Sequence, residues 1–171
     1  WYFANRTSID CFEKRGRKGY LFVIGDESPY PHSRASELTD LFGVPVQSNV
    51  TVEESIAACQ EKYNVFFVIP AHTSYGRKPE LKARWDALLG PQNVILIEDE
   101  KAICETLATA VGLCEGTVDM AGARRDLADL KASGAVVDAV SRGLAPLAAT
   151  TALARSGSTD LPESDSKAVR L

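Results

Sequence analysis

Three short runs in the chain are apolar at almost every position: YLFVI at 20–24, NVFFVIP at 64–70 and NVILI at 93–97. Such runs of β-branched and aromatic residues, without polar alternation, predict strands covered on both faces, as in a parallel sheet. The segments between them carry helical spacing. Leu38, Leu41 and Phe42 share one face of a predicted helix over 34–42, with Ser33 as its N-cap and Gly43 as its stop. Thr51 and Glu54 have the spacing of a capping box, in which each satisfies a free N–H of the first turn. That helix is expected to run to about Tyr63 and to bury Ile56, Ala57 and Cys59. Pro79 suits the first turn of a helix over 79–89 that carries Leu81, Trp85, Leu88 and Leu89. Asp99 can cap a helix over 100–111, with Ile103, Leu107 and Val111 inward and Gly112 as terminator.

Strands alternating with helices predict a mixed α/β fold: a parallel sheet with right-handed crossovers and helices on both faces. Only about three strands are visible, so the expected architecture is a partial Rossmann-like three-layer sheet. Residues 1–13 read as the tail of a helix, with a Gly16–Gly19 turn before the first strand. Past 112 the rhythm changes. Residues 119–132 and 135–148 predict two shorter amphipathic helices around Gly134, the second frayed by Pro146. From about Thr150 the chain is rich in Ser, Thr and Asp and poor in large apolar residues, which predicts a disordered tail. The expected division is therefore an α/β part over 1–112, a helical extension over 113–149 and a tail over 150–171.

Composition narrows the function classes. The net charge of −4 disfavours nucleic acid and anionic lipid, both of which call for a basic face. The basic run Lys14, Arg15, Arg17 and Lys18 reads as a solvated turn. No apolar stretch approaches the ~20 residues that span a bilayer, and no signal peptide is visible. The four cysteines, at 11, 59, 104 and 114, have no C-x-x-C spacing and read as free thiols buried in a cytoplasmic protein. The chain begins with Trp1 and its only methionine is Met120, so it is expected to be part of a longer protein.

Open parallel sheets bind ligands beyond the carboxyl ends of their strands. The first predicted strand ends in Gly25-Asp26-Glu27-Ser28, the second in Pro70-Ala71-His72-Thr73-Ser74 and the third in Glu98-Asp99-Glu100. Asp26 is the leading candidate, because a carboxylate directly after a buried strand is rigidly placed and Mg2+ takes oxygen ligands. The plain alternative is a loop Asp that caps the turn. Ser28, His72 and Thr73 are candidate residues for the rim of the site. A G-x-S-x-G elbow is absent, and GRKG at 16–19 is neither a Walker loop nor a G-x-G-x-x-G motif, so neither nucleophilic catalysis nor nucleotide binding gains support.

The order of these elements, together with the phrase EKRGRKGYLFVIGDE over 13–27, resembles the C-terminal half of a von Willebrand factor type A (VWA) domain of the bacterial intracellular kind. GYLFVIGDES resembles the fourth strand of that fold, NVFFVIPAH the fifth, and NVILIEDEKAICETLATAVG the sixth with its closing helix. The resemblance covers residues 1–112. It implies a non-enzymatic protein-binding module with a Mg2+ site, a metal-ion-dependent adhesion site that engages an acidic group of a protein partner. Such a site combines a D-x-S-x-S motif after the first strand, a loop Thr and an Asp ending the fourth strand. Only the last corresponds to a residue here, Asp26, and the remaining ligands would lie upstream of Trp1. The competing classes are a phospho-receiver or hydrolase-like α/β enzyme using Asp26, and a regulatory scaffold whose metal site has decayed.

Overall fold

The computed structural model describes residues 1–157. It is a mixed α/β structure built on three parallel strands: β1 (Gly19–Ile24), β4 (Tyr63–Pro70) and β5 (Val94–Ile97), in the order β1-β4-β5. Gly19 aligns with Tyr63 and Ile24 with Val68, while Phe67 aligns with Val94 and Pro70 with Ile97. A two-residue antiparallel ladder, β2 (His32–Ser33) with β3 (Val50–Thr51), lies in the long connection from β1 to β4. The sequence pattern does not announce it, because two residues are too few to show a period.

The helices are α1 (Tyr2–Arg6), α2 (Asp10–Glu13), α3 (Ala35–Phe42), α4 (Val52–Lys62), α5 (Pro79–Leu89), α6 (Ile103–Glu115), α7 (Met120–Asp129), α8 (Gly134–Gly143) and α9 (Ala145–Gly157). They form a layer on each side of the sheet, because alternate strand residues face opposite ways. Phe66, Val68, Ile95 and Ile97 pack with Ala110 and Leu113 of α6, Leu127 of α7, Val136 and Val140 of α8 and Leu147 of α9. Val65, Phe67, Ile69 and Val94 pack with Ile56 and Cys59 of α4 and Leu81, Trp85 and Leu89 of α5. The segment 113–149 therefore supplies much of the first layer.

Local chemistry explains the boundaries. Thr51 Oγ1 accepts from the Glu54 N–H, and the Glu54 carboxylate accepts from the Thr51 N–H, completing the capping box of α4. Pro79 opens α5, and Gly43, with φ 67°, closes α3 in a left-handed conformation that costs glycine little.

Several expectations are corrected. Residues 1–13 form two short helices, because Thr7 and Ile9 are extended between them. The N-cap of α3 is Arg34 instead of Ser33 and makes no side-chain capping bond, and Leu41 is 77% exposed instead of facing inward. In α4 Ser55 is buried and Ala57 exposed. Helix α6 starts after a 3-10 turn, runs through Gly112 and ends at the left-handed Gly116. Its fully buried face is Thr106, Thr109, Ala110 and Leu113. The expected Ile103 and Leu107 are half-buried against the same core, whereas Val111 packs on neither core cluster. The stretch is apolar nearly all round, and Thr106 is buried at little cost because its hydroxyl donates to the Ala102 carbonyl at 2.6 Å. Pro146 does not fray α8 but lies in the first turn of α9, where its missing N–H is harmless. Residues 150–157, expected to be disordered, continue α9; the rest of the expected tail, 158–171, lies outside the described residues. Among the cysteines, all unpaired, Cys59 alone is buried and Cys104 is exposed. No helix among the described residues is long and apolar enough to cross a membrane.

Candidate functional site

Three parallel strands place their carboxyl ends along one side of the sheet, and the loops that follow them carry all the sequence-predicted site residues. The loop after β1 starts on a fixed base. The Gly25 N–H donates to the Val68 carbonyl, and the Trp85 indole N–H donates to the Glu27 carbonyl at 3.0 Å. Asp26 sits between these two anchors. It is half-buried, and its carboxylate has no hydrogen-bond or ion-pair partner among the described residues. That departs from the simple turn-capping role, in which the carboxylate would accept a nearby backbone N–H. Ser28 is exposed on the same loop.

The loops after β4 and β5 are tied together. The Ala71 N–H donates to the Ile97 carbonyl at 2.7 Å, extending the ladder past the strands. His72 Nε2 lies 3.2 Å from a Glu100 carboxylate oxygen, an ion pair whenever the imidazole is protonated. Both side chains are largely exposed, so the pair is worth little. Thr73 is turned inward: its hydroxyl donates to the Pro70 carbonyl at 3.0 Å and accepts from the Gly76 N–H at 2.9 Å. This ST-type turn occupies the hydroxyl. Gly76 is required here, since a Cβ would lie 2.0 Å from the Pro70 carbonyl oxygen. Asp99 caps the following turn by accepting from the Lys101 N–H, and Glu98 pairs with Arg142 of α8 at 2.7 Å. Thus the structure brings His72 together with Glu100, commits Thr73 and Asp99 to their own loops, and gives Asp26 no bond to any of them.

The residues present do not make a complete metal centre. Among the described residues no group of three or more His, Cys, Asp or Glu side chains is arranged to hold an ion. Asp26 supplies one carboxylate, and the Thr73 hydroxyl is already satisfied.

A feature missed by sequence reasoning lies beside Asp26. An apolar cleft of about 500 Å³ opens between the carboxyl end of β1 and α1, α3 and α5, with Phe3, Ile24, Tyr30, Leu41, Phe42 and Trp85 among its walls. Gly25, Glu27 and Ser28 line it and Asp26 does not. Phe3, Tyr30 and Leu41 are 68%, 81% and 77% exposed. The signal in the sequence was Tyr30 between two prolines and an apolar pair, Tyr2 and Phe3, at the start.

At the opposite end of β1 the charge is basic. Arg17 pairs with Glu115 of α6, and the Tyr20 hydroxyl donates to the same carboxylate at 2.7 Å. Burial, and then this bond to a carboxylate, push the Tyr20 hydroxyl well above the ordinary phenol range.

No family model matches the chain, and neither a curated protein nor a solved structure does.

Proposed function

We propose that the chain is the C-terminal part of a Rossmann-like, VWA-type module that binds a protein partner without catalysing a reaction. In this reading Asp26 contributes one ligand to a Mg2+ site, the other protein ligands come from sequence beyond the described residues, and the ion engages an acidic group of the partner. The observation that carries it is the state of Asp26: a half-buried carboxylate on a loop anchored at both ends, directly after a strand, with no partner of its own among the described residues. A carboxylate so held loses part of its hydration without gaining a hydrogen bond, a cost that a cation would offset. Ser28, His72 and Thr73 then form the rim rather than the ligand set.

The test is an Mg2+ titration of the longer chain that includes the upstream sequence, followed by calorimetry. Binding that weakens at least tenfold in Asp26→Ala is expected. An upstream sequence lacking D-x-S-x-S, or a longer chain whose Mg2+ affinity is unchanged by Asp26→Ala, would sink the reading.

A further inference from the structure

We propose that the 171-residue chain pairs with a second copy of itself through the open edge of β1, antiparallel and centred on Phe22. Among the described residues β1 is hydrogen-bonded to β4 alone. The Gly25 N–H points to β4, so by strand alternation Val23 and Leu21 also bond inward. Tyr20, Phe22 and Ile24 therefore turn their N–H and C=O groups outward. Within the strand itself GYLFVI has no charge, no proline and no bulge to block pairing, and Ile24 is 46% exposed.

What selects a second copy is the charge at the two ends of this strand. Arg17 and Lys18 precede it and Asp26 and Glu27 follow it. Outward groups meet as hydrogen-bonded pairs when Phe22 faces Phe22 of the second copy across a two-fold axis, with Tyr20 facing Ile24. The same register sets Lys18 opposite Asp26 and Arg17 opposite Glu27, at both ends at once. A shift by two residues would break this match, so the charges define the register. Lys18 donates to the Gln60 carbonyl and Arg17 pairs with Glu115 in the single chain; both are exposed and reach the second copy by changing rotamer. The added strand also continues the sheet beside the apolar cleft formed by Ile24, Tyr30 and Leu41. In a longer chain, a preceding strand would compete for the same outward donors.

Sedimentation velocity on the 171-residue chain tests this, with Asp26→Lys/Glu27→Lys and Arg17→Glu/Lys18→Glu as the charge-reversed pair. The wild type is expected to be dimeric. Each reversed variant is expected to dissociate roughly tenfold or more easily, and their equimolar mixture to recover the dimer, since the mixed register again opposes unlike charges. Ile24→Pro removes one outward N–H without touching the β4 ladder, and is expected to give a folded monomer by circular dichroism. A wild type that stays monomeric into the high micromolar range would overturn the proposal. So would a dimer indifferent to Ile24→Pro, or a mixture no better paired than its components.

Discussion

The two outer strands of the sheet are made of the same kind of residue and meet opposite fates. In β5, Val94, Ile95 and Ile97 are all but inaccessible, and α8 lies so close that a Cβ on Gly143 would come within 3.0 Å of the Leu96 carbonyl oxygen. In β1, no residue is fully buried. Both runs read as interior strands in the sequence. Hydrophobicity along a strand thus reports what the strand is built to be buried by, and the rest of the fold decides whether that cover arrives. On the β5 side it is the C-terminal helices. On the β1 side α1 and α3 leave an apolar cleft rather than a seal.

The sharpest way to break the comparison is at the centre they share. Phe66 is 2% exposed and stacks on Phe22 with ring centroids 5.0 Å apart. Phe66→Ala should cost about 3–5 kcal/mol in a urea melt, and Phe22→Ala about 1–2 kcal/mol, because half-buried β1 loses less on truncation. Equal losses would mean that β1 is as well covered as β4. Next comes the seal on β5. Gly143→Val forces α8 off the Leu96 carbonyl and should cost about 1–3 kcal/mol. An unchanged midpoint would show that α8 does not seal that side.

A smaller effect is expected where β1 touches α6. Tyr20→Phe deletes the hydroxyl that donates to Glu115 and should cost about 1 kcal/mol near neutral pH. Folding raises the Tyr20 pKa, first through burial and then through that bond. The resulting stability is fully present below the unfolded tyrosine value of about 10 and is lost as pH rises above it. Urea midpoints taken from pH 8 upward (a range on the order of three units) should therefore fall less steeply in Tyr20→Phe than in the wild type. Parallel curves would remove Tyr20 from the account. The smallest effect belongs to Ile24, whose truncation to Ala should leave the stability of the single chain within about 0.5 kcal/mol.

Much of the scaffold was legible because its signals are local. The three apolar runs, the Thr51–Glu54 capping box, Pro79 at a helix start and Gly43 at a helix end each carry their cause within four residues. The faces of α4 and α6 were legible in part: Ile56 and Cys59 are buried and Ile103 and Leu107 pack against the core as expected, but Ser55 and Thr106 also go inward, for reasons of tertiary packing and back-bonding that no period reveals. At the candidate site, the position of Asp26 at a strand end was readable, as was Asp99 as a cap. The satisfied hydroxyl of Thr73 and the pairing of His72 with Glu100 depend on how two separate loops fold and face each other. The cleft was hidden for the same reason: Phe3, Tyr30 and Leu41 are far apart in sequence and only become a surface in three dimensions.

The claim that β1 is an open edge, with outward donors at alternate residues, is tested most directly by residue-resolved amide hydrogen exchange on the 171-residue chain at increasing dilution. Leu21 and Val23, bonded to β4, should stay protected throughout. Tyr20, Phe22 and Ile24 should exchange fast when dilute and gain protection as the concentration rises. Uniform protection of all five amides at every dilution would contradict it, because the edge would then be closed within the single chain.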